Sequence, residues 1–301
     1  MKIKIFLSAF AVLALLSGCN NDDKQEVSSQ SVDGRVPIIL SSGIGDTRAS
    51  QTLQNTQFRK NQTLDVQIES VDNKTGYDML TYFASDNGGS LQPLNGVYPY
   101  YPTNGANVNI RAIYPTGYMS RNDFSVTPIS QTDPEAYMAS DLMFAKKENV
   151  AKPATASESI QLVFEHKMTK IQVNLTAEGV VSLTNSTVKL LGVKTQTLFD
   201  PQTGVVKEED ATGESGNILM TNNGAQGCAA IIVPQTKSSG YLLEIVLQNN
   251  DVLHYKTVQD MTFESGKVYT FNVKVIESNI SVNTTVTPWE STTDTEERLK
   301  L

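Results

Sequence analysis

The stretch at 160–175, IQLVFEHKMTKIQVNL, contains two short runs of β-type residues, 160–164 and 170–175. The first run is mostly apolar, polar and apolar side chains alternate along the second, and the short link EHKMT separates them. Alternation with a period of two is typical of strands that bury one face. The stretch therefore predicts two consecutive strands rather than one helix.

The same pattern recurs along most of the chain. Runs at 64–69 and 108–113 alternate cleanly, and no long segment shows a helical apolar stripe. Turns rich in Gly, Asn, Asp and Pro separate these runs, and many short strands at this spacing indicate antiparallel β-sandwiches. The predicted class is all-β. The other predicted strands are 186–193, 228–233, 241–247, 252–258, 268–276 and 280–287.

A polar, Ala/Ser-rich stretch interrupts this series of strands. Residues 147–159, KENVAKPATASES, include Pro153 and lack an apolar pattern. We place a domain boundary here, which divides the chain into an N-terminal β-sandwich at 36–158 and a C-terminal one at 159–301.

The N-terminus has the features of a bacterial lipoprotein signal. Lys2 and Lys4 precede an apolar run at 5–16, and the sequence LSGC then ends at Cys19. Cleavage before Cys19 would remove the signal peptide at 1–18 and leave the cysteine to carry the lipid chains of a membrane anchor. The polar segment 19–35 is predicted to be a tether, and its acidic start resembles the surface-export signal of Bacteroidetes lipoproteins.

Composition and motifs argue against several classes of function. The net charge of −8 disfavours nucleic acid as a partner. His166 and His254 lie in strand-like runs without a metal-binding spacing, and the chain has no hydrolase, P-loop or EF-hand motif. Cys228 lies in the apolar run CAAIIVP and is expected to be a core residue. We therefore predict no enzymatic activity, no cofactor and no metal site.

An aromatic cluster makes carbohydrate binding one candidate function. Tyr98 and Tyr100, in VYPYYPTNG, share a strand face and are candidates for a platform on which sugars stack. The alternative is that these tyrosines and prolines stiffen a loop and cap the core. A surface lipoprotein that binds glycans is thus the alternative prediction.

The stretch VPIILSSGIGDTRAS, 36–50, begins as a buried strand and ends beside an arginine. In the predicted strand 36–42, Val36, Ile38 and Leu40 share one face. Arg48 follows as a target for a trypsin-like protease.

Several segments resemble the fimbrillin family of Bacteroidales, the Mfa-like major and minor fimbrial subunits. The clearest are DPEAYMASDLMFAK at 133–146 and the opening stretch, 160–175. The lipoprotein start fits the same family. Further similar segments are TRA at 47–49, NVNIRAIYP at 107–115, AIIVPQT at 230–236, GKVYTFNVKV at 266–275 and VTPW at 286–289.

The resemblance implies two tandem transthyretin-like β-sandwich domains and assembly into a type V pilus. In this family an Arg-specific surface protease removes the first strand, and a C-terminal strand of another subunit fills the groove. Carried over, Cys19 is the lipidation site, 36–42 the displaced strand and Arg48 the cleavage site. Arg35 is an alternative cleavage site, although it lies before the strand. The implied partners are other pilin subunits, in a homo- or hetero-polymer, the protease and the outer membrane.

The candidate donor strand is SNISVNTTVTPW at 278–289. Ile280, Val282 and Val286 alternate with polar residues, as a donor requires. The alternative is that this segment is the last strand of its own sandwich. Shaft, tip and anchor roles stay open, and an anchor subunit would keep both its lipid and its first strand.

Overall fold

The structure is a computed structural model that describes residues 35–44, 58–222, 227–276 and 279–289. Cys19 and Arg48 lie outside these ranges. Strands dominate the described chain. They are β1 Ile39–Ile44, β2 Thr63–Ser70, β3 Gly76–Ala84, β4 Ser90–Pro93, β5 Val108–Tyr114, β6 Asp123–Ser125, β7 Met143–Val150, β8 Ser159–His166, β9 Thr169–Glu178, β10 Thr187–Leu198, β11 Ala211–Leu219, β12 Thr221–Asn222, β13 Cys228–Ile232, β14 Gln235–Lys237, β15 Gly240–Val246, β16 Val252–Thr257, β17 Met261–Phe263, β18 Lys267–Ile276 and β19 Asn279–Pro288.

The described helices are short. A 3-10 helix spans Glu208–Asp210, and α1 spans Pro134–Ala139. The Asp133 side chain caps α1 by accepting hydrogen bonds from two backbone N–H groups of its first turn, and proline stands at the first helical position. The all-β class predicted from residue alternation is confirmed.

Seven strands form a sheet that closes on itself as a barrel. Its order is β1-β4-β3-β2-β5-β7-β8, and β1 completes the ring by pairing with β4 on one side and β8 on the other. The β1–β4 pair is antiparallel, whereas the β1–β8 pair is parallel. This differs from the expectation of antiparallel pairing throughout, because β1 and β8 are far apart in the sequence and no hairpin constrains their direction.

The rest of the chain forms two larger sheets and a two-stranded one. One large sheet has the order β11-β10-β15-β16 with β6 added beside β10, and the other has the order β12-β13-β9-β18-β19. Strands β14 and β17 form the small sheet. The long β18 pairs in parallel with β9 and antiparallel with β19, so β19 lies at a sheet edge.

Two separate hydrophobic cores fill this architecture. The barrel core includes side chains from β1, β2, β5 and β8, among them Ile38, Leu40 and Phe164. The second core contains Ile113 of β5 together with residues from both large sheets. Strand β8 belongs to the barrel, so the first core extends past residue 158 to Phe164. The division into two domains stays a prediction.

Candidate functional site

Strand β1 fills a slot in the barrel wall between β4 and β8. Its backbone pairs with β8 from Ile39 opposite Ser159 to Ile44 opposite Phe164. On the other side, Leu40 pairs with Leu91 of β4. Because both neighbours bond to β1, removing it would leave two unpaired strand edges facing each other.

The residues before β1 extend the same pairing. The Ile38 N–H donates to the Pro99 carbonyl at 2.7 Å, and the Tyr101 N–H donates to the Val36 carbonyl at 3.0 Å. The structure thus places the predicted strand 36–42 along the barrel wall, with the tyrosine segment as its neighbour beyond β4.

One face of this segment lies inside the barrel. Ile38 is 0% exposed and Leu40 1% exposed, and both belong to the barrel core. Val36 is partly buried against the same core, and Ile39 faces the other side with intermediate burial. Each fully buried side chain of this kind contributes about 1.5–3 kcal/mol.

The slot narrows beside Ser42. The Ser42 N–H donates to the Gly89 carbonyl at 2.7 Å, and the Ser42 hydroxyl donates to the same oxygen at 3.2 Å. Gly89 has a φ of +96°, and a Cβ added there would lie 2.4 Å from the Ser42 carbonyl oxygen. The backbones approach so closely that only glycine fits at this position.

Replacing Gly89 with alanine is therefore expected to destabilise the barrel by about 1–3 kcal/mol, through backbone strain and steric overlap with β1. Chemical denaturation of the purified protein measures the change. Gly88→Ala is the matched control, because a Cβ there meets its nearest neighbour at 3.4 Å and the φ is not left-handed. Equal effects of the two substitutions would contradict the close approach.

The predicted glycan platform lies in the segment that borders this slot. Tyr98 and Tyr100 are both half-buried. The Arg35 guanidinium carbon lies 4.6 Å from the centre of the Tyr100 ring, and the Tyr100 N–H donates to the Tyr77 hydroxyl at 3.1 Å. The Arg35 guanidinium thus covers one face of the Tyr100 ring.

The predicted donor segment forms β19, the edge strand of the second large sheet. Ile280 and Val282 are partly buried against the second core, whereas Val286 is 51% exposed. Within the described residues, β18 is its one neighbour in the sheet. A strand held along one edge can leave its sheet more easily than a central strand.

Trp289 fixes the C-terminal end of β19. Its backbone N–H donates to the Gly266 carbonyl at 2.7 Å, and its side chain is 5% exposed. The indole stacks on the His166 imidazole with the ring centres 4.1 Å apart and the planes at 1°. His166 is the last residue of β8, so the end of β19 is attached to the strand that pairs with β1.

His166 is in turn held by a buried carboxylate. Its Nδ1 lies 3.0 Å and 2.9 Å from the two carboxylate oxygens of Asp141, and both side chains are fully buried. Burial raises the pKa of Asp141, and attraction to His166 opposes this shift. A buried carboxylate of this kind requires its partner to remain in place.

Sequence reasoning did not find the Asp141–His166–Trp289 cluster. Asp141 precedes β7, His166 ends β8 and Trp289 follows β19, and no short motif links the three residues. The sequence assigned His166 and Cys228 to strand-like runs without chemistry. Cys228 is 3% exposed, and burial raises the pKa of its thiol to about 11.

The described residues contain neither a metal-binding cluster nor a membrane-spanning helix. Among them, no group of three or more His, Cys, Asp and Glu side chains is arranged to hold a metal ion. No helix in the same part of the chain is long and apolar enough to cross a bilayer.

Comparison with solved structures finds the same fold in proteins of Bacteroides and Porphyromonas species. A proposed cell-adhesion protein from Bacteroides uniformis matches with a TM-score of 0.65 at 20% identity, over 86% of this chain and 100% of that one. A proposed cell-adhesion protein from Bacteroides ovatus gives 0.66 at 21% identity, over 85% and 98%. The tip fimbrial protein Mfa3 from Porphyromonas gingivalis, with a C-terminal truncation, gives 0.53 at 10% identity, over 85% and 100%.

Curated proteins give no match to this sequence. The model of one protein family, described as fimbrillin-like, matches residues 47–289. That match covers most of the chain, including the second core, β19 and the part of the barrel core that follows β1. The chain belongs to the fimbrillin-like family of fimbrial and cell-adhesion proteins.

Proposed function

We propose that this protein is a pilus subunit that polymerises by donor-strand exchange after an Arg-specific protease cuts behind β1. The observation that carries the proposal is the position of β1, which is the first described strand and completes a closed barrel. The family match begins at residue 47, so the part of the chain that it describes omits β1.

A cut after Arg48 would separate β1 covalently from the rest of the barrel. The segment from Cys19 to Arg48 would then be held by its pairing with β4 and β8 and by its buried face. Once it leaves, β4 and β8 present unpaired backbone groups beside the apolar cavity that Ile38 and Leu40 filled. Such an opening is a template for a strand from another chain.

The energy terms favour a strand of moderate length. A backbone hydrogen bond contributes about 0.5–1.5 kcal/mol net and a buried aliphatic side chain about 1.5–3 kcal/mol. Ordering an unstructured donor opposes these gains by about 1–2 kcal/mol per residue, whereas a donor that is already paired loses its own sheet pairing instead. Exchange is therefore favourable only for a strand that forms the backbone bonds and also buries several side chains.

The donor in this proposal is β19 at the edge of the second large sheet. In the precursor β19 is paired with β18 in its own sheet. The alternative to donation is that this segment serves only as the last strand of that sheet. Donation then requires β19 to exchange β18 for the open slot of a neighbouring subunit. We infer that the precursor keeps both strands in their own sheets, which prevents polymerisation before cleavage.

Lipidation at Cys19 would hold the precursor in the outer membrane at the cell surface. Cleavage after Arg48 would remove the covalent link to the lipid, and departure of the cut segment would then free the subunit and open the slot. Cutting at Arg35 would release the tether but leave β1 in the barrel. The partners of the mature subunit are then other pilin subunits in the fimbrium.

Replacing Arg48 with alanine is expected to abolish polymer formation, because the segment that contains β1 can no longer be released. The purified precursor is treated with an Arg-specific protease. Gel electrophoresis and electron microscopy follow the polymer, and mass spectrometry identifies the new N-terminus as Ala49. Arg35→Ala is the matched control and should polymerise like the parent protein. Two results would contradict the proposal and favour an anchor subunit. One is a polymer whose subunits still begin at Cys19, and the other is an Arg48→Ala variant that polymerises as well as the parent protein.

A further inference from the structure

The slot imposes a specific order on the strand that fills it. Along residues 38–42, which run into β1, the buried positions are two large aliphatic residues followed by a small hydroxyl residue: Ile38, Leu40 and Ser42. The last of these donates its hydroxyl hydrogen to the Gly89 carbonyl at the narrow end. A replacement strand must provide two apolar side chains followed by a small donor.

The slot also takes a strand without charge. Strand β1 contains no Asp, Glu, Lys, Arg or His. Among the described strands of six residues or more, only β19 shares this property. A charged inward residue would be buried against an apolar core, which costs several kcal/mol without a partner. Strand β19 meets this requirement whichever of its faces turns inward, because none of its residues is charged.

The inward-facing residues of β19 follow the same order as those of β1. Ile280, Val282 and Thr284 are the partly buried positions of β19, and exposed polar residues alternate with them. Resting on the proposed function, we propose that β19 of a second copy enters the slot in the direction of β1, parallel to β8. Ile280, Val282 and Thr284 then occupy the positions of Ile38, Leu40 and Ser42.

Each inward position accepts its replacement in this register. Ile280 has the same side chain as Ile38, and Val282 is an aliphatic residue slightly smaller than Leu40. The Thr284 hydroxyl takes over the hydrogen bond to the Gly89 carbonyl. On the outer face, Thr285 replaces Gly43, where a Cβ would lie 2.9 Å from the Gln161 amide nitrogen. That atom is the end of a flexible, exposed side chain, which can move aside.

Other registers fit the slot less well. A shift of two residues places Thr284 at the buried Leu40 position and Val286 at the narrow end, where the Gly89 carbonyl would lose its hydroxyl donor. Running β19 in the opposite direction about Val282 places Thr284 at the Ile38 position and Ile280 beside Gly89. Both arrangements bury a hydroxyl among apolar side chains, and both leave the Gly89 carbonyl without the hydroxyl donor that Ser42 provides.

A disulfide between two copies tests the register. In the precursor Ser41 is the Cα partner of Gln161, so Asn283 of the donor becomes its partner in the polymer. Subunits with Gln161→Cys are mixed with subunits with Asn283→Cys, cleaved with the Arg-specific protease and oxidised. The native Cys228 is buried and does not compete. A cross-linked dimer on a non-reducing gel is the expected result.

Two matched variants define the register. Ser281→Cys and Thr285→Cys point to the same side of β19 but lie one side-chain repeat away. Their Cα atoms would be about 8 Å from that of residue 161, beyond the separation that a disulfide spans. We expect the Asn283→Cys pair to give at least about tenfold more cross-linked dimer than either neighbour.

The outcomes separate the two proposals. Polymer that cross-links preferentially through residue 281 or 285, or through none of the three, overturns the register while donor-strand exchange stands. Absence of polymer after verified cleavage behind Arg48 overturns the proposed function and the register with it. The parent protein, cleaved and oxidised in parallel, shows that the band requires the two introduced cysteines.

Discussion

Replacing His166 with alanine is expected to lower the free energy of unfolding by about 3–5 kcal/mol. The Asp141 carboxylate is completely buried, and His166 Nδ1 lies 2.9 Å from one of its oxygens. Without the imidazole the carboxylate keeps its desolvation cost and loses this partner. Trp289 also loses the ring on which it stacks at 4.1 Å. Urea denaturation at neutral pH measures the loss.

The other histidine is the matched control for this prediction. His254 is 38% exposed, and its Nε2 lies 3.4 Å from a carboxylate oxygen of Glu244 at the surface. His254→Ala should change stability by no more than about 1 kcal/mol, because solvent screens exposed pairs. A double variant, His166→Ala with Asp141→Asn, should recover part of the loss by removing the buried charge. An effect of His166→Ala as small as that of His254→Ala would contradict the assigned coupling.

Replacing Leu40 with aspartate is expected to cost at least about 4 kcal/mol of stability, more than the loss of the leucine contacts alone. Leu40 is 1% exposed in the barrel core, so the new carboxylate would be buried without a charged partner. The barrel should therefore open at β1 before the second core unfolds. Hydrogen exchange is expected to show lost protection at β1, β4 and β8 and retained protection at β9 and β18.

The neighbouring serine provides the matched control. Ser41 is partly exposed, on the side of β1 opposite to Leu40. Ser41→Asp introduces the same charge at a position that water can reach, and should change stability by about 1 kcal/mol or less. If Leu40→Asp left the barrel as stable as Ser41→Asp does, the burial of β1 would not hold it in place, and the proposed release mechanism would lose its physical basis.

Much of the fold was predictable because residue alternation is a local property. The predicted runs at 64–69, 108–113 and 160–164 correspond to β2, β5 and β8. Alternation specifies which face of a strand is buried, but it does not name the neighbouring strand. The pairing of β1 with β8 joins residues more than a hundred positions apart, so closure of the barrel had no local signal.

Some features of the candidate site could likewise be predicted from local sequence, and others could not. The apolar face of 36–42 and the alternating segment 278–289 could be recognised from short patterns, and so could the arginine at 48. The narrow end of the slot could not, because Gly89 reads as one glycine in an ordinary turn until Ser42 is packed against it. The stacking of Trp289 on His166, which attaches the end of β19 to β8, had no sequence pattern either. It depends on single side chains that are far apart in the sequence.

From residue order alone follow the all-β class, the positions of many of the strands and the uncharged character of β1 and β19, because these properties depend on near neighbours along the chain. Packing in three dimensions establishes that β1 closes the barrel, that Gly89 narrows the slot and that Asp141, His166 and Trp289 meet. Such contacts join residues distant in sequence, and their stability comes from burial and close approach that exist only once the strands are assembled.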